Sequence, residues 1–251
     1  MHTMNLGLLY VANGGTMHVL LKCGIWGTPD ETVQVRLHRA YLAFKRWCSS
    51  NKIACSQPAF QPRHLYQKNG DVSLVCKAYN GRVVMQWLAE TIAEVSQRDD
   101  VADVDDRIGP IALCMLHLAR FMLGIENAGR FLTQDESRTL FHDGREFLRI
   151  YIKLGRLSVR RNLQEWFIKP KIHGLWHILR GIRSHRSNPR FWHCFTDEDA
   201  MSWTKRTFLR AHPHHRASWI IKCGRMRIWA TKLRIKKMNK EVHARLARGR
   251  G

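Results

Sequence analysis

The chain has 251 residues, 45% of them hydrophobic, with nine Trp and a formal net charge of +22. That apolar content suits one folded core, with or without a basic extension, and excludes a disordered chain. No uninterrupted apolar run of about 18 residues is present, which argues against a membrane span, and seven scattered Cys without a CxxC pair argue against a disulfide framework.

In chain order, LGLLYVA reads as a short buried strand that ends in the turn signal Asn13-Gly14-Gly15. TMHVLLKCGIWG reads as a short helix from Thr16 to Gly24 or Gly27. Thr28-Pro29-Asp30-Glu31 has the form of a capping box with Pro at the first helical position, opening a helix to about Ser50. Residues 51–81 read as a loop-rich link in which SLVCKAY can form a strand. A helix is expected over Val83–Gln97. VADVDDR opens another, and Ile111–Leu123 starts its own helix behind Pro110. Thr133-x-x-Glu136 is a second capping box, followed by a helix to about Gly155. Two further helices are expected, over Lys171–Arg183 and Asp197–Ala211, before a basic tail. The fold class is mainly α, a helical bundle with one or two short strands.

The charge is unevenly placed. Residues 1–150 hold 17 Lys/Arg and 15 Asp/Glu, whereas residues 151–251 hold 25 and 5. A field of one sign in one part of a chain points to a polyanion, nucleic acid being the commonest. Ribosomal RNA and an anionic membrane surface have the same charge logic. The start, MHTMNLGLLYVANGG, has no basic n-region and too short an apolar run for a secretory signal, so the expected setting is nuclear or cytoplasmic.

Three stretches can carry chemistry. In KPKIHGLWHIL, His173 and His177 are four apart and share a helix face, so they could hold one metal ion. The intervening residues lack the Glu that a HExxH hydrolase needs, and the competing roles are a helix seam or phosphate contact. In FTDEDAMSWTKR, Asp197, Glu198 and Asp199 are either first-turn acids behind the N-cap Thr196 or part of a divalent-cation site. Neighbours on a helix sit about 100° apart, so such a site needs a partner carboxylate from elsewhere. The third stretch interleaves cations with aromatics. Lys205, Arg206, Arg210, Arg225, Arg227, Lys232, Arg234, Lys236 and Lys237, with Lys169 and Lys171 earlier, are candidate phosphate contacts. Trp203, Phe208, Trp219 and Trp229 either stack on bases or belong to the core.

Read in order, GGTMHVLLKCG, KPKIHGLWHIL and WHCFTDEDAMSWTKR resemble the C-terminal half of cut-and-paste DDE/DDD-type transposases of the Plavaka, KDZ and CACTA kind. In that group a strand runs into D-x-(L/M)-H-x-x-x-L-G, a helical insertion follows, then (K/P)-P-K-x-H-x-x-x-H-L, and last an acid-bearing helix. The resemblance aligns His18 with the His of the first motif, His173 and His177 with the second, and Glu198, or less well Asp197, with the last acid and metal ligand. It implies a remnant of an RNase H-like fold over 1–27, a helical insertion over 28–168, C-terminal helices over 169–235 and a basic tail over 236–251. The 183 positions from Gly15 to Glu198 suit such an insertion. The chain departs from the family where Gly15 stands at the second catalytic Asp, and the first would lie upstream. Two metal ions need more than one carboxylate. The resemblance therefore implies a DNA-binding, catalytically incomplete transposase derivative, with Mg²⁺ or Mn²⁺ bound only if residues outside this chain complete the site. The rival expectations are a basic nucleic-acid-binding protein of other ancestry, including an RNA binder, and a one-metal enzyme built on His173, His177 and Glu198.

Overall fold

The computed structural model describes residues 7–98 and 104–191, and from the later chain residues 205, 207–219, 221–226, 229 and 232. The chain divides into two compact units, Met1–His193 and Cys194–Gly251. The first contains seven α-helices among the described residues: α1 (Leu9–Lys22), α2 (Val33–Ser50), α3 (Pro62–Leu65), α4 (Ala78–Val95), α5 (Ile108–Asn127), α6 (Gln134–Arg160) and α7 (Lys171–His185). The main interfaces run as a series, α1 on α4, α4 on α5, α5 on α6 and α6 on α7. The segments 1–27 and 28–168 and the helix at 171–185 therefore share one unit, and the expected boundaries at 27 and 168 fall inside it.

The mainly helical expectation holds, but the opening strand does not. Among the described residues there is no strand, only two isolated bridges, Tyr66 with Val72 and Phe131 with Ser187. Leu9–Ala12 of this run and the glycines behind it lie in one continuous helix, α1, buried on nearly every side. A helix that is apolar all round belongs in a core. Its glycines make close approach possible. A Cβ on Gly14 would fall 2.7 Å from the backbone N of Leu74, and one on Gly15 would fall 2.6 Å from Nε1 of Trp166. The segment 72–74 is thereby laid along α1, with Leu74 N–H donating to the Tyr10 carbonyl at 2.8 Å. Of SLVCKAY, Ser73–Lys77 thus runs outside helix and strand, beginning against α1, and Ala78 and Tyr79 already belong to α4. The turn glycine is Gly24, in the left-handed region at φ 72, just after α1.

Local signals set the other helices. Thr32, not Thr28, caps α2, while Glu31 accepts from the Thr28 N–H at 3.0 Å and pairs with Arg39. Thr133 and Glu136 form the expected capping box of α6. α5 is long and apolar enough in length and composition to cross a membrane, which the search for an uninterrupted apolar run missed. One side of it, with Ile111, Cys114, Met115, Leu118 and Phe121, is buried in the bundle.

A buried ionic cluster ties the loop after α6 to the rest. Arg107, 3% exposed, reaches Glu165 at 3.0 Å and Asp105 at 2.7 Å. His18 joins it, with Nδ1 3.0 Å from the Tyr66 hydroxyl and Nε2 3.5 Å from Glu165. Next to Glu165, Trp166 is fully buried with φ 54, a backbone region that bulky side chains rarely occupy. Tyr151 holds the far side by donating to the Phe167 carbonyl at 2.7 Å.

Candidate nucleic-acid interface

Residues 166–191 contain six Lys/Arg and no Asp or Glu, and most of this stretch is α7. Leu175, Leu179 and Ile182, spaced i, i+4, i+7, bury one side of α7 on α6. Gly144 of α6 lets Leu179 in, since no side chain fits between them. The opposite side exposes His173, Trp176, His177, Arg180 and Arg183.

Two cavities flank the α6–α7 seam. One, of about 670 Å³, is lined by Arg138, Arg145, Arg183 and Arg186 together with Gln134, Ser137, Phe141 and Ser184. The other, of about 600 Å³, has an apolar floor of Leu148, Ile152, Ile168 and Ile172 beneath Arg145, Arg149 and Lys169. Arg145 belongs to both. Between them stand Phe141 and Trp176, their ring centres 6.3 Å apart, with the Arg183 guanidinium over the Phe141 ring at 5.0 Å. Glu146 takes part of the charge, at 2.6 Å from Arg149 and 3.1 Å from Arg145. Its bonds to Arg149, then to Arg145, hold its carboxyl below the usual carboxylate range. Asp135 lies 3.7 Å from Arg138 in full solvent, where such a pair contributes little. Arg180, Arg183 and Arg186 have no carboxylate partner among the described residues. Guanidinium groups left over in this way suit phosphate oxygens, which they bind bidentately.

His173 and His177 share a face as expected. Their Nε2 atoms are 2.8 Å apart on exposed side chains, so one ring N–H donates to the other's lone pair. His18 is different in kind. It is enclosed in the ionic cluster, and burial lowers its pKa to about 4, helped by the nearby charges of Lys22 and Arg107. It is therefore neutral across the physiological range and serves the core.

In the second unit, Lys205, Arg210, Arg225 and Lys232 are exposed, as is Lys222. Arg210, His212, His215, Trp219 and Lys222 line a cavity of about 470 Å³. Phe208, Trp219 and Trp229 are exposed, at 41%, 45% and 66%, while in the first unit Trp26, Trp87 and Trp166 are buried. Asp197, Glu198, Asp199, Arg206, Arg227, Arg234, Lys236 and Lys237 lie outside the described residues.

Of the residues singled out in the sequence, Lys169 and His173 line the second cavity and His177 is exposed on α7, whereas the Lys171 side chain packs against Gly7; Arg138, Arg145, Arg183, Arg186 and the Phe141–Trp176 pair were not singled out. The acid-free run was the signal that could have found the α7 half. No protein-family model, curated protein or solved structure matches this chain.

Proposed function

We propose that this chain binds nucleic acid, with the α6–α7 seam as a contact surface and the basic C-terminal residues as a second. The observation that carries this reading is the set of Arg138, Arg145, Arg183 and Arg186 that lines one cavity with the half-buried Phe141, whose ring meets the exposed Trp176. Guanidinium groups neutralise phosphates, and Trp176, 40% exposed, offers a face for a base. The strong positive bias of residues 151–251 supports the same partner. The test is binding of labelled duplex and single-stranded DNA, and of RNA, over a salt series. Arg183→Glu with Arg186→Glu should weaken binding about tenfold or more and flatten the salt dependence. Affinity unchanged in that variant would overturn the assignment of this surface.

The transposase resemblance adds DNA as the polyanion and an incomplete site for Mg²⁺ or Mn²⁺. Its late acids, Glu198 and Asp197, lie outside the described residues, and where it calls for a strand entering Gly15 the chain is helical. The binding proposal therefore stands on charge and aromatic placement alone. Under the ancestral reading the protein leaves duplex DNA intact in Mg²⁺ or Mn²⁺. Cleavage that disappears in Glu198→Ala would overturn the view of this chain as catalytically incomplete.

A further inference from the structure

The α5–α6 seam is apolar along most of its length, with one exception near its middle. Asp143 on α6 is 4% exposed, and its Oδ1 lies 2.8 Å from Nδ1 of His117 on α5. A carboxylate in such a place is costly unless a cation or several donors meet it. The adjacent residue, His142, is exposed and stands edge-on to His117, ring centres 5.8 Å apart and planes at 74°. One ligand atom from each of His117, His142 and Asp143 lies within 4.8 Å of the other two.

We propose that His117, His142 and Asp143 bind a divalent transition-metal ion of the zinc class, bridging α5 and α6. Two imidazole nitrogens and one carboxylate oxygen are a ligand set that zinc accepts, at about 2.0–2.2 Å each. A tetrahedral arrangement then sets ligand atoms about 3.4 Å apart, so a separation of up to 4.8 Å must narrow to about that distance. His142 supplies that movement, because its side chain is in solvent and can rotate, while Asp143 and His117 stay fixed by the seam. The competing role is a simple hydrogen bond between His117 and Asp143, in which His142 has no part. His142 therefore distinguishes the two.

The experiment uses the full chain without an affinity tag, stripped with a chelator, in a His173→Ala/His177→Ala background that removes the exposed histidine pair. Zn²⁺ is titrated by calorimetry, and Co²⁺ is followed by its visible absorption. One equivalent of Zn²⁺ is expected, with a tetrahedral Co²⁺ band and a higher Tm in the presence of metal. His142→Ala should remove that equivalent and the band while keeping the far-ultraviolet dichroism of the parent, and Asp143→Asn should do the same if it folds. Absence of a tight equivalent in the parent, or an undiminished equivalent in His142→Ala, would overturn the proposal. Neither result bears on nucleic-acid binding, which is measured separately.

Discussion

A side chain at position 15 would begin 2.6 Å from Nε1 of Trp166, inside the van der Waals surface of a fully buried indole. The glycine is there because α1 and the loop after α6 pass this closely, and that gives a packing reason for the residue that the resemblance aligned with a lost catalytic Asp. Gly15→Ala should destabilise the fold by about 1–3 kcal/mol, the range for overpacking a dense core, as read from urea denaturation. Gly15→Asp should be worse, adding a buried charge. Gly81→Ala is the control. Its Cβ would meet only Cys76 Cβ, at an ordinary 3.5 Å, so the greater helix propensity of Ala should leave stability unchanged or raise it by up to about 1 kcal/mol. Equal losses at the two positions would show that the approach of Trp166 to α1 is not the constraint.

The Arg107–Glu165 pair is 3% and 2% exposed. Arg107→Met takes the nearer cation from the buried Glu165, leaving Lys22 at 3.8 Å, and should cost about 3–5 kcal/mol. Replacing both, as Arg107→Met with Glu165→Leu, should recover much of that loss, because neither charge is then buried alone. A double variant as unstable as the single one would place the loss in packing around Arg107.

His18 makes the fold sensitive to acid. Burial, aided by Lys22 and Arg107 and opposed by Asp105, lowers its pKa from 6.5 to about 4. The folded state therefore binds this proton less readily than the unfolded one. Stability falls as pH drops from about 6.5 to about 4, by a contribution on the order of 3 kcal/mol. Glu165 works in the opposite sense, since burial raises its pKa and its protonation favours the folded state as pH falls. The readout is thus the difference between wild type and His18→Gln across this window, with the variant losing less stability. Parallel pH profiles would exclude His18 as the source.

Trp176 tests what the aromatic pair is for. If it stacks on bases, Trp176→Ala should weaken single-stranded binding by about 1–3 kcal/mol and leave the salt dependence intact. Duplex binding, with its bases enclosed, should change little. An equal loss on both substrates would point to a structural role in holding Phe141 and Arg183.

The sequence was most readable where a local rule decides the outcome. Thr133 and Glu136 start α6 as their spacing requires, and the four-residue spacing of His173 and His177 brings their rings together on α7. It was least readable where distant residues set the conformation. LGLLYVA fits a strand or a buried helix equally well by apolarity, and NGG has the composition of a turn. Trp166 and the 72–74 segment decide for helix by closing on both glycines, and nothing near position 15 announces them. The same holds for His117 and Asp143, 26 positions apart on different helices. Their meeting follows from α5 packing on α6, which no local pattern encodes.

One rod of 27 residues, α6, serves both proposals. Phe141 and Arg145 line the basic surface, while His142 and Asp143, between them in sequence, turn toward α5. Because adjacent positions of the rod face different neighbours, His142 can be exchanged without altering any side chain that lines the two arginine-bearing cavities.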